Sequence, residues 1–225
     1  MIPSKLAFLT IGQSPRHDIS DAMRRGLPPH VTVVHAGVLD GLDAQEIERR
    51  FPVLPGSLPL ITRLADGRVV SVGCAATEVG LQQSVTSLEA QGIDAIVVLC
   101  TGSFPTLAAQ RAWLIEPDAI VPGVVVSLVR ERRVGVLVPL PDQIAETPVK
   151  WAMLANAPLC AAASPYGTEY ELVAAAAQLK REGADALVLD CMGYSEVHKA
   201  ILSQALDLPV FVSGTVLAAA LTTMF

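Results

Sequence analysis

Two stretches of this chain share one frame, and that frame limits the fold more than any other feature. Gly92-Ile93-Asp94-Ala95 opens an apolar run that ends at Leu99-Cys100-Thr101-Gly102-Ser103. Gly183-Ala184-Asp185-Ala186 opens another, ending at Leu189-Asp190-Cys191-Met192-Gly193-Tyr194, and the two align without a gap. A short continuous apolar run of this kind reads as a strand buried on both faces, as in parallel sheets covered by helices. Each strand therefore delivers a thiol to the same kind of strand end, with a glycine two residues later.

Composition agrees with that architecture. Of the 225 residues 52% are hydrophobic but only 4% aromatic, so the core must be built from Ala, Val, Leu and Ile. The length suffices for one large domain or two small ones. A formal net charge of −6 argues against a nucleic-acid partner, because a phosphate backbone calls for a concentrated basic surface. No apolar stretch approaches the roughly 18–20 residues of a membrane-spanning helix; the longest candidate, 119–129, is interrupted by Pro122-Gly123. The N-terminus carries no signal-peptide pattern, and the four cysteines read as free thiols rather than two disulfides. The expected setting is cytoplasmic, away from membranes.

In chain order, residues 5–11 read as a buried strand, and Gly12-Gln13-Ser14-Pro15 turns into a helix with Ser14 as N-cap and Pro15 first. A strand at 31–36 comes next, then a short helix opened by Asp43 and Glu46 as a capping box. Residues 58–64 and 68–72 flank Ala65-Asp66-Gly67, which makes a β-hairpin. A helix is expected over 77–91, another over 108–113, and irregular chain around Pro117 and Pro122. Strands at 133–138, 159–163 and 209–212 then alternate with helices at 142–156, 168–182, 195–206 and 213–224. Such alternation means a mostly parallel α/β fold.

The spacing points to an internal duplication. From Val138 to Cys191 is 53 residues and from Ile11 to Cys100 is 89, an excess of 36. Residues 38–73, with the short helix and the hairpin, account for that excess. The expected organisation is two pseudo-equivalent lobes, 1–117 with 213–225 and 118–212, against the alternative of one doubly wound sheet with a chance echo.

Ligands of open α/β sheets bind outside the carboxyl ends of the strands, where Cys100 and Cys191 stand. A helix start just beyond offers backbone N–H groups and a field that suits a carboxylate and favours a thiolate. One such cysteine is usually a small buried hydrophobe. Two at matching positions favour chemistry across one small-molecule site. Opposed thiols suit proton transfer at a carbon acid; a thiolate can also add to an electron-poor double bond or carbonyl. A disulfide would compete, but C-x-x-C spacing is absent. His17, His30, His35 and His198 form no ligand-spaced cluster with the cysteines, so no metal and no cofactor are expected.

Other residues carry two readings each. Gln13, Ser14 and Arg16 sit at the turn after the first strand; Arg16 could fork onto a substrate carboxylate or be a solvated first-turn side chain. Thr101, Ser103 and Tyr194 could bind a carboxylate or hydroxyl, and Ser103 could equally cap a helix. Asp190 points away from Cys191 by strand alternation and reads as a cap for a neighbouring helix or loop. His198 reads as a surface residue and Cys160 as core. Cys74 could line the site, with core packing favoured, and Ser213-Gly214-Thr215 could supply further backbone donors.

Cys100-Thr101-Gly102 and Asp190-Cys191-Met192-Gly193 resemble the two cysteine motifs of the Asp/Glu racemase superfamily. The resemblance implies two pseudo-symmetric, Rossmann-like lobes with parallel sheets, the hairpin being an insertion in the first. It also implies a cofactor-independent two-thiol site in the cleft between them. Within the superfamily the chain is most similar to the AroM family, on residues 9–16, 115–117, 134–139 and 189–194. By that resemblance Cys100 and Cys191 are the acid/base thiols. The residues after each, Thr101, Gly102 and Ser103, then Met192, Gly193 and Tyr194, contact substrate; Gly12, Gln13, Ser14 and Arg16 complete the expected set. It further implies that the last helix packs back on the first lobe.

Two departures narrow the substrate. Glutamate racemases carry an Asp-Ser-Gly-type turn after the first strand and Thr-His after the second cysteine, where this chain has Gly12-Gln13-Ser14 and Met192-Gly193. Both missing groups assist amino-acid deprotonation, so glutamate itself is a poor fit. The expected activity is a racemase or isomerase acting on a small carboxylate-bearing acid. Maleate-isomerase-like or decarboxylase chemistry with one thiol is the alternative, and a non-catalytic small-molecule-binding protein the second; a homodimer is left open.

Overall fold

The apolar runs form two separate four-stranded sheets, all parallel, rather than one. The computed structural model describes residues 3–225. The chain runs β1 (Lys5–Thr10), α1 (His17–Arg24), β2 (Thr32–Gly37), α2 (Ala44–Arg50), β3 (Pro59–Arg63), β4 (Val69–Gly73), α3 (Cys74–Ala90), β5 (Ala95–Val98) and β6 (Trp113–Ile115). It continues through α4 (Pro117–Val129), β7 (Val134–Val138), α5 (Thr147–Lys150), β8 (Leu159–Ala162), α6 (Glu169–Arg181), β9 (Ala186–Leu189), α7 (Glu196–Leu206), β10 (Val210–Val212) and α8 (Ser213–Thr222). Two compact units result: the residues up to Pro117 with Leu221–Phe225, and Asp118–Ala220. The second boundary thus falls inside α8.

Strand order displays the duplication. The first sheet reads β2-β1-β5-β6 and the second, taken from its other edge, β8-β7-β9-β10. The shared Gly-x-Asp-Ala is a helix-to-strand connector. Gly92 (φ +77°) and Gly183 (φ +99°) take the left-handed backbone that ends the preceding helix. Asp94 N–H then donates to the Lys5 carbonyl at 3.0 Å, and Asp185 N–H to that of Arg133 at 2.8 Å. The Asp94 carboxylate accepts the Ser4 and Lys5 N–H groups, both at 3.0 Å, and that of Asp185 accepts the Arg133 N–H at 2.9 Å. Both aspartates thereby anchor the start of the neighbouring strand. The expected insertion is α2 with the antiparallel hairpin β3–β4. Every residue of β5 and β9 is buried, which explains their continuous apolar runs.

Several elements differ from what local pattern suggests. No helix forms over 108–113; instead β6 adds to the edge of β5 with Trp113 opposite Ala95. The segment before it is held by α3 side chains. Glu78 accepts the N–H of Thr106 at 2.6 Å, Gln82 that of Ala108 at 2.9 Å, and Glu89 those of Arg111 and Ala112 at 2.6 and 2.9 Å. Those donors find partners outside their own segment, so a helix there gains nothing.

Residues 117–129 form one helix in spite of Pro122. Val121, Val125 and Val129, four apart, are all buried in the second core, and that stripe outweighs one missing hydrogen bond. The expected helix over 142–156 shrinks to a 3-10 turn and the single turn of α5. Pro148 lacks a donor and disfavours helical backbone before it. α3 starts at Cys74 rather than 77, directly out of β4. Ser14 is not a helix cap and Pro15 does not open the helix. α1 begins at His17, and both Ser14 Oγ and N–H donate to the Asp40 carboxylate at 2.7 Å.

Both expected capping boxes form, Asp43 with Glu46 and Thr168 with Glu171. Thr168→Ala should destabilise the protein by about 1 kcal/mol, measured as a lower urea midpoint at unchanged slope.

Candidate active site

The two thiols occupy equivalent points. β5 ends at Val98 and β9 at Leu189, and Cys100 and Cys191 follow two residues later. One more ladder bond is made in each unit, from Leu99 N–H to the Leu9 carbonyl at 2.8 Å and from Asp190 N–H to that of Leu137 at 2.9 Å. The backbone then curls back on the sulfur. Gly102 N–H donates to Cys100 Sγ at 3.3 Å, and Gly193 N–H to Cys191 Sγ at 3.4 Å. A sulfur is a better acceptor as an anion, so this donor favours the thiolate form of its partner. Both thiols are half-buried, as are Cys74 and Cys160. Glycine is needed at 193: a Cβ there would lie 2.7 Å from Tyr166 Oη and 2.9 Å from Pro165 Cγ.

The residue before Cys191 centres a charged cluster. Asp190 is buried, with Oδ1 at 2.7 Å from Lys150 Nζ and Oδ2 accepting the Trp151 indole N–H at 2.9 Å. Lys150 Nζ also lies 3.6 Å from Asp118. Asp190 therefore anchors the α5 segment rather than capping a helix. Tyr194 is buried and its hydroxyl donates to the Ala163 carbonyl. Burial, then the Cys191 and Asp190 charges, push that phenol well above its ordinary range. Its hydroxyl serves the backbone, so the ring shapes the loop. Met192 is likewise buried. Ser213 Oγ donates to the Leu189 carbonyl at 2.9 Å, securing the end of β9.

His198 is half-buried, not on the surface. Its Nδ1 faces Ser195 N–H at 3.0 Å, its Nε2 faces the Pro165 carbonyl at 3.2 Å, and its ring stands edge-on to Tyr194. A neutral ring protonated on Nε2 satisfies both contacts. Burial lowers its pKa, only partly opposed by the Pro165 carbonyl.

In the first unit the loop after β1 is tied up internally. Gln13 donates to the Leu39 and Leu42 carbonyls at 3.2 and 2.9 Å and accepts Ala65 N–H at 2.8 Å. A Cβ on Gly12 would run into Thr62 Oγ1 and the Arg63 carbonyl, so glycine lets the hairpin lie against the loop. Leu9 stands opposite Val98, so this loop and the Cys100 loop leave adjacent strands at the same end. Arg16 is buried, not solvated, and forks onto Asp18 through bonds of 2.8 and 2.7 Å. Burial resists the Asp18 charge, but the Arg16 bonds and the charges of Arg16 and Arg63 hold its carboxyl below the usual value. Thr101 is buried and Ser103 exposed.

The remaining two cysteines donate to backbone carbonyls, Cys74 to Ser103 and Cys160 to Pro158. Burial, then Glu78, raises the Cys74 thiol, and its Sγ lies 3.9 Å from the Ser103 carbonyl. Cys160 is half-buried on edge strand β8 rather than in the core, and burial raises it too. Among the described residues no three His, Cys, Asp or Glu side chains are arranged to hold a metal. Nor is any of their helices long and apolar enough to cross a membrane. Lys150, Trp151 and Asp118 carry no sequence signal of their own; the lone acid closing the β9 run is the only pointer to them.

A family model described as AroM protein matches residues 6–225. The chain belongs to the AroM family. No curated protein matches it by sequence. Among solved structures, a glutamate racemase from Bacillus anthracis superposes with TM-score 0.64 at 17% identity, over 100% of this chain and 82% of its own. Allantoin racemase from Klebsiella pneumoniae gives 0.61 at 16%, over 98% and 86%, and arylmalonate decarboxylase 0.61 at 14%, over 96% and 92%. The AroM chain thus shares the α/β fold of these two racemases and the decarboxylase.

His198 yields a pH dependence. Its pKa in the folded chain lies below the ordinary histidine value of 6.5, so its contribution to stability is present above that pH and lost as pH falls through the folded value. Protonated Nδ1 can no longer accept from Ser195. The thermal midpoint should drop between about pH 8 and about pH 5.5, and the drop should be smaller in His198→Asn.

Proposed function

We propose that this AroM-family chain is a cofactor-independent enzyme of the racemase or isomerase type acting on a small carboxylate-bearing carbon acid. The observation that carries the reading is the matched thiol geometry, two residues past equivalent strands, with a glycine N–H on each sulfur at 3.3 and 3.4 Å. A thiol kept only for packing needs neither the match nor the donor.

In the proposed reaction one thiolate takes the proton from the carbon beside the carboxylate. The C–H bond breaks, S–H forms, and the electron pair moves into the carboxylate as an enediolate. The thiol on the opposite face then gives its proton to that carbon, forming C–H and leaving a thiolate. Thr101, Gly102, Ser103 and Gly193 are proposed to line the carboxylate. Gly12, Gln13, Ser14, Met192 and Tyr194 shape the walls, because their polar groups are bound within the chain or their side chains are buried. Arg16 acts through Asp18 rather than directly. Free thiols fit a cytoplasmic setting, and the fold relatives, racemases of glutamate and allantoin, support the carbon-acid class. A second reading, decarboxylation followed by protonation from one thiol, is favoured by the unlike residues before the thiols, Leu99 and Asp190.

Cys100→Ala and Cys191→Ala should each lower turnover about 10²- to 10⁴-fold with thermal midpoints close to the parent's. The assay is solvent-deuterium exchange at the acidic carbon of candidate acids, read by NMR or mass. Undiminished exchange in both single variants would sink the two-thiol reaction.

A further inference from the structure

The duplicated frame is broken at one telling place. The residue before Cys100 is Leu99, buried and apolar, while the residue before Cys191 is Asp190, buried and charged. Both make the same ladder bond, at 2.8 and 2.9 Å, so ending the strand does not need a carboxylate. A buried ion pair is weak evidence for stability, since a well-packed apolar replacement commonly does as well. The bonds of Asp190 to Lys150 and Trp151 hold the α5 segment, and the same bonds fix the residue directly before the thiol.

We propose that Asp190 is a positioning residue for the Cys191 thiol, held in that role by Lys150 and Trp151. The inference rests on the proposed role of Cys191. Asp190 is fixed at three points: its N–H on Leu137, Oδ1 on Lys150 at 2.7 Å, and Oδ2 on Trp151 at 2.9 Å. Asp190 and Cys191 share one peptide group, so clamping the Asp190 side chain and N–H fixes the backbone that leads into the thiol. Between Cys191 and α7 the chain has no helix or strand, and the sulfur is steadied there by Gly193 N–H.

The clamp itself is firmly seated. Trp151 is 0% exposed and the Lys150 side chain 18%. Lys150 also reaches Asp118, at the start of α4. The α5 segment is a single turn, and the Lys150 ammonium with the Trp151 indole just after it tie it to the residue that follows β9. A half-buried thiol on so short a loop gains more from a rigid support at the residue before it than from contacts of its own, because displacements near 1 Å at a reacting group can cost about 100-fold.

The test compares Cys191 with Cys100 inside one molecule. Iodoacetamide labelling of each cysteine is read by mass spectrometry near neutral pH, with thermal midpoint and deuterium exchange recorded alongside. In the double variant Lys150→Met with Asp190→Leu, an apolar pair replaces the ionic one. The variant should still unfold in one cooperative transition, its midpoint lowered because the Trp151 indole N–H loses its acceptor, while Cys191 labels about threefold or more faster relative to Cys100 and exchange falls about tenfold or more. Trp151→Phe, which removes only the indole donor, should move both readouts the same way by less. Lys150→Arg should return both to parent values.

A folded double variant with the parent's labelling ratio and exchange rate would overturn the proposal. Should that variant fail to fold, a parent-like ratio in Trp151→Phe overturns it equally. Labelling does not need turnover. Full exchange in Cys191→Ala would therefore remove the proposed function, while the ratio still decides whether Asp190 sets the thiol.

Discussion

The last ladder hydrogen bond of each unit, Leu99 to Leu9 and Asp190 to Leu137, sets the position of everything beyond it. Up to that bond the backbone is satisfied by its neighbour in the sheet; past it, each N–H must find another acceptor. The next residue is a cysteine, and its own sulfur becomes the acceptor for the N–H two residues on. Strand end, thiol and glycine therefore form one physical unit. A bulkier residue at 193 would collide with Tyr166 and Pro165 before it could close the turn.

The surroundings of the two copies of that unit have diverged. In the first, the hairpin insertion lies on the loop after β1, with Gln13 bonding three backbone groups from two other loops. In the second, the support comes through Asp190, Lys150 and Trp151. A duplicated scaffold supplies two similar strand ends, and the neighbouring segments make them chemically different. Racemases and a decarboxylase share this fold, as one scaffold commonly hosts several activities.

The frame and the thiols are legible in the sequence because both depend on local pattern. The Gly-x-Asp-Ala connector, the apolar runs of β5 and β9, and the capping boxes at Asp43 and Thr168 all act within a few residues. The departures sit where distant partners decide. Residues 106–112 are irregular because Glu78, Gln82 and Glu89 take their N–H groups. Pro122 is tolerated because Val121, Val125 and Val129 find a core. Ser14 bonds Asp40, Arg16 bonds Asp18, and Tyr194 bonds Ala163. Each residue type suits a ligand equally well, and only the folded chain shows that its polar atoms are already engaged.

One of those distant partners has a consequence for the edge strand β6. Two backbone N–H groups, from Ala112 and Arg111, hold the Glu89 carboxyl below its ordinary range. The chain between Cys100 and β6 thus owes part of its order to an ionised side chain on α3, not to a periodic element. Acid that protonates Glu89 removes an acceptor from that segment while the strand pairing of β5 with β1 stays intact. The entry into β6 can therefore be loosened on its own, at the end of the sheet where β5 begins and away from the strand end that carries Cys100.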